Sequence, residues 1–475
     1  MRTARKLICI FLTALMTAGL VPFALAAVDV AKIAETEAAF RTLQAAIEAA
    51  SPGQTVELLA EISQETTVEV DRQLTLDLQG HTVTSSVGTA VKVTNGTLTV
   101  KDSVGGGGIC GSGKVCLEVS GSASLLLVSG TVQCVSGTGD AVAIQNTGSG
   151  GISVGNGGIA KAKVYAKTNS QQANKWAYGI YNKREDAGDT ATVKIFEGAE
   201  ITGSAYESGR GCGVYNYHGD IENYGGTVTG EGRYGVFAES GEVRMIAGTV
   251  KGTSKTGEGC GIIATQATVS GGTVTGDYAV NGKAQISGGY FNGGHGKLAA
   301  GTGLSGGYYT VQPPEDYVAD GKAVLDCKEK SGGVTYKYMI GSGETSLTAD
   351  ASNPDSATVN KPFQMKVVLK NNADFPLKGK TVTCGTISGV TDSNGIAKLT
   401  FPGESTTGRK SYTVSFEGDG AYEAANCTLN ITITEKEPAP APKTGDSTPV
   451  LLLGMLAVLS ITGIAVVSRK ARKER

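Results

Sequence analysis

The sequence predicts an all-β chain: mainly a coil of short stacked strands, with one amphipathic helix near its start and a second, smaller β domain behind it. Three observations predict this. Glycine is very abundant, 69 of 475 residues, against 12 prolines, and it accompanies frequent Thr and Val, the composition of many short strands joined by tight turns. A glycine phrase recurs at Gly226, Gly248, Gly272, Gly289 and Gly307, in steps of 22, 24, 17 and 18 residues. From about Ser346 that phrase is lost, and longer alternating strands with turn signals replace it.

The first element is residues 1–26, with Arg2, Arg5 and Lys6, an apolar run from Leu7, and Ala24-Leu25-Ala26. This is the order of a secretory signal with a small-residue cleavage site; the alternative is a membrane-spanning helix. Next, Phe40, Leu43, Ile47 and Ala50 recur at helical spacing until Ser51-Pro52-Gly53 ends the run. Short strands follow in "TVELLAEI", "TTVEV" and "LTLDLQGHTV".

The repeat assigns faces. With the glycine phrases aligned, Ile221, Val243, Ala267 and Ala284 share a column, as do Asn223, Met245, Val269 and Ile286, and Val228, Val250, Val274 and Phe291. Columns of one chemical type stacked about 4.8 Å apart are what the inside of a coil requires. Glu222, Arg244, Thr268 and Gln285 fall between the first two columns and therefore point outward. A second phrase, Cys212, Tyr234, Cys260 and Tyr278, places Cys212 and Cys260 two rungs apart, about 9.6 Å, too far for a disulfide.

One helix followed by a coil of strands resembles the pectate-lyase-like right-handed parallel β-helix, in which the N-terminal helix caps the open coil. The resemblance implies such a head over residues 27–335, with Asn at a corner bonding along the stack. Residues 346–434 resemble a bacterial immunoglobulin-like (Ig-like) stalk domain, through "FQMKVVLKN", "GKTVTCGTISGVTDSNGIAKLTF" and "SYTVSFEGDGAYEAANCTLNITIT". Of the eight cysteines beyond residue 26, Cys384 and Cys427 share this domain, so they are the pair expected to bond if any does.

The tail has three parts. Residues 435–449 are a Pro-rich, extended linker. Residues 450–467 read "VLLLGMLAVLSITGIAVV", long enough to span a bilayer as a transmembrane helix. Residues 468–475, "SRKARKER", are strongly basic and expected to stay cytoplasmic. With Ala441, Pro442, Lys443, Thr444 and Gly445 in front, the arrangement resembles the sorting signal of Gram-positive, sortase-anchored (Leu-Pro-x-Thr-Gly type) surface proteins. Ala441 stands where that family usually has Leu. The resemblance implies sortase as a partner, cleavage after Thr444, attachment to peptidoglycan, and a membrane segment used only transiently; the alternative is a permanent single span.

The charge is nearly balanced, 42 basic against 44 acidic residues, and no basic stripe points to nucleic acid. The cysteines form no C-x-x-C pair and the three histidines are scattered, so no metal site and no cofactor are expected. His218, Asp220 and Glu222 alternate along one strand face and are the catalytic candidates, in the manner of two carboxylates flanking a sugar bond. The competing reading is an exposed Glu222–Arg244 ion pair between rungs. Tyr178, Tyr181, Tyr215, Tyr217 and Tyr234 cluster in the first half of the repeat, with the single Trp176 before them. Of these, Tyr215, Tyr217 and Tyr234 are the candidates for stacking on a sugar or anchoring a protein ligand. The sequence therefore points to an exported, wall-anchored adhesin that binds a glycan or protein. The alternative is a β-helix polysaccharide lyase or glycosidase displayed on the cell surface.

Overall fold

The computed structural model describes residues 28–435 except 87, 184–190, 207–208 and 420. The signal, the sorting motif, the apolar tail and its basic end lie outside the described residues. Among the described residues, no helix is long and apolar enough to cross a membrane.

The described residues divide into two compact units. The first holds the residues through Ser346, with Lys370–Pro376 and Glu417–Ala425; the second holds Leu347–Leu369, Leu377–Phe416 and the chain from Asn426. Strand dominates both.

In the first unit, most strands pair in parallel with one further along the chain, giving three stacks. One runs through Thr82–Ser85, Gly108–Gly111, Gly130–Ser136, Ala162–Thr168 and Ala199–Ala205. A second runs through Val68–Val70, Val91–Val93, Val115–Val119, Ala141–Asn146, Trp176–Asn182 and Arg210–Asn216. The third runs through Thr55–Leu58, Leu74–Asp77, Thr97–Lys101, Ser124–Leu127, Ile152–Val154 and Thr192–Ile195. From Asp220 the strands lengthen and contribute to two stacks each. This is an all-β chain with a long parallel strand stack, consistent with a β-helix.

The register reproduces the columns read from the repeat. Ile221 pairs Val243, Val243 pairs Ala267, and Ala267 pairs Ala284. Val228, Val250, Val274 and Phe291 pair in the same order. All eight side chains are buried in one continuous core. Each such Val or Ile contributes roughly 1.5–3 kcal/mol of transfer free energy, which is why the columns stay apolar.

The glycine phrase has a steric origin. Gly248, Gly272, Gly289 and Gly307 sit at φ 86°, 79°, 97° and 100°, a backbone region that side chains rarely tolerate. The glycine closing each phrase is forced by close approach. A Cβ on Gly230 would lie 1.7 Å from the Tyr234 carbonyl oxygen, and one on Gly252 would lie 1.9 Å from that of Cys260. At these two positions no residue with a side chain fits, whereas earlier rungs of the same column carry Cys134 and Ala166.

Both ends of the stack meet antiparallel strands. At the start, Ala31–Ile33 pairs antiparallel with Ala38–Phe40 and Thr55–Leu58. The helix Leu43–Ala49 follows; its Thr42 hydroxyl accepts from the Ala45 N–H at 3.1 Å, a side-chain N-cap. Leu43, Ala46 and Ile47 face the core, whereas Phe40, expected on this helix, belongs to the preceding strand. At the far end, Tyr308–Tyr309 pairs antiparallel with Val334–Gly341, itself paired with Ala323–Ser331.

A buried asparagine ladder crosses three rungs. The Asn146 amide donates to Asn182 Oδ1 at 2.9 Å, and the Asn182 amide to Asn216 Oδ1 at 2.6 Å. Asn223, expected to bond along the stack, does so only to sulfur, its amide donating to Met245 Sδ at 3.6 Å, and mainly closes its own turn: its amide donates to the Gly226 carbonyl at 3.1 Å, and its Oδ1 accepts from the Gly225 and Gly226 N–H groups. Register explains the difference, because the residues stacked next to Asn223 are Ile195 and Met245, which offer no amide.

The second unit contains a three-stranded sheet and a five-stranded sheet. Alternation along Phe363–Asn371 buries Phe363, Met365, Val367 and Leu369. In the five-stranded sheet, Gly408–Phe416 lies between the strands that carry Cys384 and Cys427. Two strand spacings are about 9.6 Å, beyond a disulfide's reach of roughly 7 Å between Cα atoms. Both cysteines are free thiols, so the expected pair is not formed. Cys212 and Cys260 are free as well, with Tyr234 in register between them.

Candidate functional site

On Trp176–Asn182, Ala177 and Ile180 point into the core, so Trp176, Tyr178 and Tyr181 point out. The next strand repeats the pattern: Val214 points in, while Cys212 and Tyr215 point out. In register, Tyr178 stacks on Cys212 and then Tyr234, while Tyr181 stacks on Tyr215 and then Phe237. The result is an aromatic outer face, separate from the core.

The rings pack on one another. Trp176 lies parallel to Tyr178 with centroids 5.1 Å apart, and Tyr178 stacks on Tyr181 at 4.7 Å. Tyr215 meets Trp176 edge-on at 5.9 Å and stacks on Phe237 at 5.1 Å. Tyr234 closes the group, 6.1 Å from Trp176 and 5.0 Å from Phe237. Tyr178 and Cys212 are buried by the rest; Trp176, Tyr181, Tyr215, Tyr234 and Phe237 remain partly open.

Polar groups edge this face. Arg210 lies over the Trp176 ring at 5.1 Å and Arg233 over the Tyr234 ring at 5.2 Å. The Tyr215 hydroxyl donates to Glu239. Burial, with Glu239 adding to it, pushes the Tyr215 hydroxyl well above its ordinary value. Burial pushes the Cys260 thiol up to about 12 and raises Cys212 as well, so neither is a nucleophile at neutral pH. Around the corner is a groove of about 520 Å³ lined by Lys167, Asn169, Ser204, Tyr206, Glu231 and Lys255, among others.

The structure thus brings Tyr215 and Tyr234 together. It places Tyr217 elsewhere, exposed in the turn beyond the strand and edge-on to His218 at 4.6 Å. Phe237 and Arg210 are members that sequence reasoning missed. The aligned phrases "CGVYN" and "YGVFA" carried the signal for Phe237, since they set it directly beside Tyr215. Arg210 precedes the phrase and has no equivalent in the next rung.

His218, Asp220 and Glu222 form no convergent acid–base site. The His218 ring shares a hydrogen bond with the Ser240 hydroxyl at 2.6 Å. Asp220 accepts the Glu242 N–H at 2.8 Å. Arg244 bonds Glu222 at 2.6 Å and Glu242 at 2.8 Å, with Asp220 at 3.9 Å. Burial acts to raise the Glu222 carboxyl, but the Tyr224 hydroxyl, Arg244 and Lys194 outweigh it and hold it below the usual range. A general acid needs the opposite shift. Among the described residues, no group of three or more His, Cys, Asp or Glu is placed to hold a metal ion.

No protein-family model matches the chain, and no curated protein matches it.

Proposed function

We propose that the chain is an exported, wall-anchored surface protein whose coil binds a glycan or protein ligand on an outer face, without turnover. In this reading the coil is a right-handed parallel β-helix with a helix capping its first rung. The second unit is an Ig-like stalk, and residues 450–467 are a transmembrane segment used before sortase joins Thr444 to peptidoglycan. The aromatic face carries the proposal: Trp176, Tyr181, Tyr215, Tyr234 and Phe237 offer partly open rings at fixed spacing on rigid strands. Such rings stack on sugar faces and anchor protein partners at low conformational cost. Attachment to the wall suits a binder, because many copies act in parallel on one surface.

The alternative enzyme would need a carboxyl poised to give up a proton, and Glu222 is held ionised by the Tyr224 hydroxyl and Arg244. The full-length chain, applied to an array of glycans and assayed for released unsaturated sugars, decides between the two. Retention without product supports the binder. Degradation abolished by Asp220→Asn overturns it in favour of a lyase.

A further inference from the structure

The cations and anions around the aromatic face are unevenly matched. Among the described residues, three carboxylates beside the face have partners: Asp140 accepts the Trp176 main-chain N–H at 3.0 Å, Glu239 takes the Tyr215 hydroxyl, and Glu258 bonds Arg233 at 2.9 Å. Arg210 has none. Its guanidinium lies on the Trp176 ring and forms no hydrogen bond or ion pair among the described residues. Lys175, whose carbonyl accepts the Arg210 main-chain N–H at 3.0 Å, brings a second cation without a carboxylate partner among the described residues. The Arg233 Nε is buried with no acceptor.

The Trp176 ring, 5.1 Å from its centroid to the guanidinium carbon, holds the cation beside the aromatic face. The guanidinium fork matches a planar or tetrahedral oxyanion. We infer that the ligand carries a carboxylate or sulfate group, and that Arg210 receives it while a neighbouring sugar ring rests on the partly open aromatic rings. This rests on the binding reading above and adds the charge of the ligand to it.

The test measures binding of the full-length chain to immobilised hyaluronate, dextran sulfate and neutral dextran over a range of salt. The expected result is retention by at least one anionic polymer, weakening as salt rises, and little retention by neutral dextran. Arg210→Gln should cost about tenfold in affinity, the size of one charge-assisted contact. Arg210→Lys should keep part of it, and Lys163→Gln, on another side of the coil, should leave it unchanged. Retention by hyaluronate alone identifies the group as carboxylate, and by dextran sulfate alone as sulfate. Equal retention by neutral dextran, with Arg210→Gln unaffected, overturns the anionic ligand while the glycan-binding reading stands. Equal loss in Lys163→Gln and Arg210→Gln overturns it as unspecific charge attraction. Failure to retain any of the three polymers overturns it and removes the support for a glycan.

Discussion

Arg244 Nη1 donates to Glu222 Oε1 at 2.6 Å across one rung of the coil. The same guanidinium neutralises Glu242 and approaches Asp220. Arg244→Ala should therefore destabilise the coil by about 1 kcal/mol, since the pair is partly exposed but removal leaves three carboxylates close together. Because the Glu222 carboxyl is held low in the folded state, its contribution is present above the unfolded carboxyl's ordinary value and is lost as pH falls below it. Urea unfolding of wild type and variant at pH 7 and pH 3 checks both statements; the difference between them should shrink at pH 3.

The asparagine ladder should be costly to cut at its centre. Asn182→Leu removes the partner of both Asn146 and Asn216, which are fully buried. Asn216 Oδ1 loses its donor, and the Asn146 amide keeps only the Gly150 carbonyl, which implies a loss of about 1–3 kcal/mol, read as a shift in the denaturant midpoint. A loss below half a kcal/mol would show that the ladder is incidental.

His295 should make the coil acid-sensitive in a defined window. Both ring nitrogens are buried without a hydrogen-bond partner, beside Phe291 and Tyr309. Burial brings its pKa down from 6.5 to about 4. The unfolded chain takes up a proton below pH 6.5 that the folded chain refuses until about pH 4, so stability falls between those values and not further on this account. The span corresponds to about 3 kcal/mol at most. His295→Phe should flatten the dependence of the melting temperature on pH across that window.

Tyr234 should shield Cys212. The thiol is fully buried among the rings that pack over it. Tyr234→Ala should let a maleimide label Cys212 in the folded protein at a rate well above wild type, while Tyr217→Ala, outside the ring cluster, should not. Equal labelling in both would mean that the face opens by itself.

The proposed sorting signal makes a separate prediction. Mass spectrometry of wall digests should find the chain ending at Thr444 and linked to peptidoglycan. Intact extraction by detergent, with "SRKARKER" retained, would remove the anchoring proposal.

The parallel stack was legible because its period is enforced by backbone sterics. Gly230 and Gly252 allow no substitute, so the phrase survives in the letters and fixes every column beside it. The core columns and the Glu222–Arg244 pair followed from that register alone. The aromatic group was half legible. Tyr215 and Tyr234 stood out by residue type, but the membership of Trp176 depends on corner geometry that spacing does not encode. The asparagine ladder was missed because the repeat was aligned forward from Cys212, where Ala238 and Ala264 follow Asn216 in register, and not back to Asn182 and Asn146. Cys384 and Cys427 share a domain, but adjacency in a sheet depends on strand order, which neither residue reveals.

The antiparallel strands at both ends of the coil bear on what the protein does in a crowd. An open parallel stack offers unpaired main-chain groups, and any strand of another copy could add to them without limit. Here the chain's own strands, Ala31–Ile33 at one end and Val334–Gly341 at the other, occupy such edges. At these two edges a strand of another copy finds no free main-chain groups, so under the proposed anchoring neighbouring copies are kept from extending one another there.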